Sequence, residues 1–160
     1  MLNTGINSVT WKEQGITDTL RVNYFSSRMS YVHQLFIARK INRNISLQIA
    51  PTVYHQNLVE KTAEPNDLYY IGLGGSFKLT RSTRFNIEWY NALNKYAPNK
   101  NTNMLSFCFD IETGGHVFQL VLSNTQGMVE NQFLSGKGTT GNWQKGDIYL
   151  GFNLLRFFAL

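Results

Sequence analysis

The side chains able to do chemistry are sparse, and where they cluster they do so at even spacings. Arg84 stands four residues from Glu88 and Asp110 two from Glu112, with Lys78 a short way upstream. On a β-strand, even spacing puts both members of a pair on one face. Acids and bases brought to one confined face have to pair, because an unpaired buried charge is costly. Across a lumen, Lys78, Arg84, Glu88, Asp110 and Glu112 would form either a constriction that selects small solutes or a structural plug of polar side chains. A second group, Arg39, Lys40, Arg43, Arg81 and Arg156, gathers with Lys78 and Arg84 toward one end of the expected strands. This basic rim either holds phosphate headgroups and draws anions, or is a set of solvated turn residues.

Other chemistries find no footing. His33, His55 and His116 are separate, and no H-x-x-x-H or His/Cys pairing sets two metal ligands together. The single Cys108 has no partner for an internal disulfide. Gly72-Leu73-Gly74-Gly75 shares letters with a phosphate loop but lacks its Lys-Ser/Thr ending and precedes no helical segment. No serine sits in a hydrolase motif. Neither a catalytic activity nor a cofactor or metal is expected. The net charge of +5 and pI near 9.4 would permit nucleic-acid binding. The basic residues form no stripe interleaved with stacking aromatics, so nucleic acid is not an expected partner.

The elements that position these residues are set by a period of two. Ile45, Leu47, Ile49, Pro51 and Val53 alternate with Ser46, Gln48, Ala50, Thr52 and Tyr54. Similar windows run from Leu68 to Thr80, Arg84 to Leu93, Leu105 to Glu112, Phe118 to Ser123 and Ile148 to Leu154. Tyr31 to Ile41 is a further strand with a blurred pattern, and Leu2 to Trp11 could supply an eighth. Short connections at Ile41–Asn44, Thr80–Thr83 and Thr113–Gly115 alternate with longer polar loops at Leu58–Asp67, Lys95–Thr102 and Thr125–Lys145. That rhythm describes an all-β, antiparallel up-and-down meander of about eight strands, in a single domain over residues 1–160. Such a meander closes into a barrel or leaves edges that aggregate.

Composition chooses which face is inside. Charged residues make up only 16% of the chain and aromatic ones 14%, against roughly 25% charged in an average soluble domain. No stretch approaches the roughly 18 apolar residues of a membrane helix, and the mean hydropathy is −0.25. A soluble, lipocalin-like barrel binding an apolar molecule would have to pack the bulky face inside a lumen that, at about eight strands, only just accommodates side chains. A transmembrane barrel turns that face to lipid: Leu47, Ile49, Ile71, Leu73, Phe77, Ile87, Trp89, Phe107, Phe109, Leu120, Leu150 and Phe152. Its small polar face of Ser, Gln, Thr, Gly and Asn then lines the lumen. Tyr69, Trp89, Tyr149 and Phe157 near the strand ends would form aromatic girdles.

The stretches His33-Gln34-Leu35-Phe36-Ile37-Ala38-Arg39-Lys40, Ser46-Leu47-Gln48-Ile49-Ala50-Pro51 and Gly114-Gly115-His116-Val117-Phe118-Gln119-Leu120 resemble an uncharacterised Bacteroidota β-barrel family, domain-of-unknown-function family 5777. The resemblance implies an outer-membrane barrel without an assigned activity, of porin-like passive or structural role. It also implies that this chain is the carboxyl-terminal part of a longer protein, since residues 1–25 show no signal peptide. The expected partners are outer-membrane lipid, lipopolysaccharide, the outer-membrane assembly machinery and possible small solutes. Barrels of this kind keep short turns periplasmic and long loops extracellular. Basic residues would then gather at the periplasmic end, and the acids Glu13, Asp18, Glu60, Glu64, Asp67, Glu130 and Asp147 at the extracellular one.

Overall fold

Alternating sequences of this kind form strands because every second side chain finds the same environment. A computed structural model describes residues 1–8, 24–57, 59, 65–94, 103–127, 130–134 and 141–156. Within them the strands are β1 (Leu2–Ser8), β2 (Met29–Leu35), β3 (Ile37–Lys40), β4 (Ile45–Gln56), β5 (Asp67–Lys78), β6 (Thr83–Ala92), β7 (Met104–Thr113), β8 (His116–Ser123) and β9 (Tyr149–Arg156). All pair antiparallel in one sheet of order β1-β2-β4-β5-β6-β7-β8-β9, with β3 continuing β2 along β4. The described sheet is open, and β1 and β9 are its outer members. The first expected strand materialises over Leu2–Ser8, while Val9 to Trp11 lie outside the described residues.

The blurred window at Tyr31–Ile41 has a physical cause. Gln34 faces Thr52 and Ile37 faces Ile49, so the register is unchanged across the gap between β2 and β3. The gap lies opposite Ala50 and Pro51, and proline has no N–H to donate to a ladder. One strand is therefore interrupted where its partner cannot bond. Phe36 instead exchanges backbone hydrogen bonds with Met1, at 2.8 Å and 3.0 Å.

Tight turns hold one end of the sheet. At Gly114 and Gly115 φ is +54° and +90°, as a two-residue primed hairpin turn requires. Asn42 Oδ1 accepts the N–H groups of Asn44 and Ile45, both at 2.8 Å, and Thr80 Oγ1 accepts those of Ser82 and Thr83. The strand ends that lead into the longer connections all lie at the opposite end.

The buried side of the sheet is the polar-patterned one. Along β4, Ala50, Thr52, Tyr54 and Gln56 are buried, whereas Leu47, Ile49 and Val53 are exposed. The sheet also curls toward that side. Gln34 on β2 donates to the Tyr90 hydroxyl on β6 at 3.4 Å, although three strand spacings of about 4.8 Å would part them on a flat sheet.

The interior is less uniformly polar than its residue types suggest. Toward the loop end, Val32, Tyr54, Leu68, Tyr70, Tyr90 and Ala92 form an apolar cluster with Leu134, which is 0% exposed. Leu134 comes from the β8–β9 connection, whose one-turn helix Glu130–Phe133 folds inward. Its backbone carbonyl accepts the Tyr70 hydroxyl, and the Phe133 ring lies 5.5 Å from that of Tyr90. What reads as a polar extracellular loop is thus partly a plug. Its driving force is burial of Leu134 and Phe133 against inward-facing tyrosines, worth about 1.5–3 kcal/mol per large apolar side chain.

Candidate functional site

Register places the inward residues in rows that cross the sheet. A row near the turns is Lys78, Arg84, Asp110, Gln119 and Asn153; the next toward the loop end is Ser46, Ser76, Asn86, Cys108, Val121 and Gly151. The third is Gln48, Gly74, Glu88, Ser106 and Ser123. Asp110 is the hub between the first two rows. It accepts Asn86 Nδ2 at 2.7 Å, Gln119 Nε2 at 3.0 Å and the Cys108 thiol at 3.2 Å. A carboxylate held by several donors is a strong, well-oriented arrangement.

Of the five charged residues expected to share a lumenal network, all project from the inward face, but they occupy three levels. Lys78 stands opposite Arg84, and Arg84 opposite Asp110. Glu88 sits two rows deeper, and Glu112 lies in the next row toward the turns, opposite Val117. Lys78, Arg84 and Glu112 are exposed, whereas Glu88 and Asp110 are half-buried. Asp110 is held by neutral donors within the described residues rather than by a cation. Asn86, Gln119 and Cys108 are the site residues that charge counting overlooks; their inward position in the alternation is the signal that finds them.

The basic residues do gather at the turn end, on both faces. Arg39 and Arg156 project outward with Leu47 and His116, Lys40 inward with Ser46, and Arg43 and Arg81 occupy the turns. All are exposed. Asp67 and Asp147 lie at the loop end, while Glu13, Asp18, Glu60 and Glu64 fall outside the described residues, as does the Glu130 side chain. The turn-end sorting is incomplete, since Asp110 and Glu112 are also there.

Away from the turn-end Arg39 and Arg156 and the loop-end His55 and Asp67, the outward face is mostly apolar. Leu47, Ile49, Ile71, Leu73, Phe77, Ile87, Trp89, Phe107, Phe109, Leu120, Leu150 and Phe152 all occupy outward register positions. Leu150 and Phe152 are 69% and 63% exposed. Phe77, Phe85 and Phe109 form a row of rings across three strands, with centroids 6.3 Å and 4.9 Å apart. Trp143 meets Phe107 edge to face at 5.5 Å, a contact the strand pattern does not reveal. Tyr69 is outward at the loop end, but Tyr149 faces inward opposite Ser123, because a period of two gives it the opposite face from Leu150. Phe157 lies outside the described residues.

The histidines stay apart. His33 Nδ1 meets Thr4 Oγ1 at 3.3 Å, His116 faces Arg156, and His55 bridges Asp67 at 2.7 Å and Asn57 at 3.1 Å.

An antiparallel meander with an exposed apolar face, a small polar interior and short turns at one end only is the wall of a membrane β-barrel. The lipocalin-like arrangement, with the bulky face inside, is the reverse of what the strands adopt. The family model for a membrane-bound β-barrel domain, domain-of-unknown-function family 5777, matches residues 2–158, and the chain belongs to that family. No curated protein and no solved structure matches the chain.

Proposed function

We propose that this chain is an integral barrel of a Gram-negative, Bacteroidota-type outer membrane, with a passive role toward small solutes and no catalytic step. The carrying observation is the inside-out burial of the strands, with Leu150 and Phe152 exposed while Thr52 and Gln34 are buried. Exposed apolar strands of 8 to 12 residues in β4, β5 and β9 match the roughly 9–11 residues that a tilted transmembrane strand needs. Acyl chains and lipopolysaccharide are then its lateral partners, and the outer-membrane assembly machinery its route to the membrane. The polar rows from Ser46 to Asn153 give solutes a hydrated path, which the Phe133–Leu134 plug narrows at the loop end. Planar-bilayer conductance of the purified protein tests this: discrete current steps are expected, and a silent bilayer refutes passage.

A second reading, a sealed structural barrel, is favoured by one observation. Leu134 is fully buried in an apolar cluster spanning β2, β4, β5 and β6. A silent bilayer from folded, lipid-inserted protein would establish it.

A further inference from the structure

His55 stands at the loop end of β4, facing outward between Tyr31 on β2 and Asp67 on β5. Both of its ring nitrogens meet oxygen: Nδ1 lies 2.7 Å from Asp67 Oδ1 and Nε2 lies 3.1 Å from Asn57 Oδ1. The Asn57 amide is not free to turn round. Its Nδ2 donates to the Ser26 backbone carbonyl at 2.7 Å, and a carbonyl can only accept. The atom facing His55 is therefore the amide oxygen, and Nε2 must donate to it. Nδ1 must donate as well, because a carboxylate only accepts. An imidazole that donates from both nitrogens is the protonated, cationic form.

The contacts continue on both sides of the ring. The Asp67 backbone carbonyl accepts Asn94 Nδ2 at 2.8 Å, and Asn94 Oδ1 accepts the Tyr69 N–H at 2.7 Å, which fixes the acid to the ends of β5 and β6. On the other side, Ser26 opens the short helical turn Ser26–Arg28 ahead of β2. We infer that His55 is a pH-operated clasp, which holds this turn against the sheet when the ring is protonated and releases it when the ring is neutral. The proton left on the neutral ring stays at Nδ1, where the carboxylate is the stronger acceptor. Nε2 then sets a lone pair against Asn57 Oδ1. Turning the amide round relieves that contact only by setting Oδ1 against the Ser26 carbonyl, so one of the two bonds is lost in either case. The Asn57 N–H keeps its bond to the Met29 carbonyl at 3.2 Å, so β2 itself stays in place and only the turn ahead of it is freed. Among the described residues, the titratable and charged groups on the elements around the ring are Tyr31 and His33 on β2, Asp67 and Tyr69 on β5, and Arg28 on the turn. The Tyr31 ring lies 6.1 Å from that of His55, the Arg28 guanidinium lies over Phe25 at 5.4 Å, and Asp67 is the one carboxylate in the group. Histidine exchanges its proton between about pH 5 and 8, so the clasp is closed on the acid side of that window and opens as the pH rises through it.

Electron paramagnetic resonance of the full chain in detergent micelles tests the clasp, with a nitroxide attached through Ser26→Cys, where the side chain is exposed, in a Cys108→Ser background. The mobile fraction of the label should rise severalfold between about pH 5 and about pH 8. His55→Phe keeps a ring and removes both donors, so the label should be mobile at both pH values. Asn57→Asp keeps an acceptor for His55 but removes the donor to Ser26, and it should also leave the label mobile throughout. His33→Gln, on the other outward histidine of this end, should respond to pH as the parent does. Tryptophan emission shows that each variant is folded, and if His55→Phe is not, Asn57→Asp carries the test. A label equally mobile at the two pH values in the parent, a response surviving Asn57→Asp or folded His55→Phe, or a response lost with His33→Gln overturns the clasp.

Discussion

Gly72 is where the wall and the plug meet, and replacing it with alanine measures how tightly the loop end is packed. A Cβ at this position would lie 2.6 Å from Tyr90 Cε1, 2.9 Å from Cζ and 3.1 Å from Ala50 Cβ. Ordinary carbon contacts need roughly 3.5 Å or more, so the Tyr90 ring must retreat by about 0.9 Å. That ring has little room: it is 5% exposed, lies against Phe133 at 5.5 Å and accepts from Gln34 at 3.4 Å. Overpacking of this kind costs about 1–3 kcal/mol, and loss of the Gln34 bond adds about 1 kcal/mol. Gly72→Ala should therefore destabilise the barrel by about 2–4 kcal/mol, read from urea unfolding in lipid vesicles by tryptophan emission. Gly74→Ala is the control, since its Cβ would meet Gln48 at 3.5 Å; it should be neutral within about 0.5 kcal/mol. In a Tyr90→Ala background the cost of Gly72→Ala should largely vanish, because contacting residues are not additive. An unaltered Gly72→Ala midpoint, or an equal penalty with and without the Tyr90 ring, would refute the packing described.

Three further outcomes follow from other parts of the structure. With Trp11→Phe and Trp143→Phe leaving Trp89 as sole emitter, vesicles of brominated lipid should quench its fluorescence; full emission would mean that the outward face does not meet acyl chains. Leu134→Ala should cost about 2–5 kcal/mol in the same unfolding assay and raise single-channel conductance, whereas unchanged current steps would show that the plug does not narrow the path. Replacing both Gly114 and Gly115 by alanine should cost about 1–2 kcal/mol for each left-handed residue, seen as a lower urea midpoint, and a neutral double variant would contradict the turn geometry.

Strand identity and facing are legible in the sequence because a period of two is a local property. Leu47, Leu73, Phe109 and Phe152 declare their side through their immediate neighbours alone. The turns at Asn42 and Gly114-Gly115 are legible for the same reason, since each depends on a few adjacent residues. Three features resist such reading because they join distant segments. Pro51 breaks a strand other than its own, so the gap at Phe36 shows only as a blurred pattern in β2 and β3. Leu134 sits in a polar-looking loop, and its burial depends on tyrosines from β4, β5 and β6 converging once the sheet curls. The candidate site was partly visible: its charged members were in view, but the donors around Asp110 arise only from cross-strand register.

The open sheet has a consequence for the order of events in assembly. β1 runs toward the loop end and β9 runs away from it, so each presents an outer row of backbone donors and acceptors in opposite directions. Lipid offers those groups no hydrogen bonds, and each unsatisfied one costs several kcal/mol. Hairpins of this chain therefore cannot cross the bilayer one at a time and wait for the rest. Whatever covers the outer edges of β1 and β9 lies beyond the pairings of the described sheet, so insertion and shielding must proceed together, because an uncovered edge makes membrane residence costly.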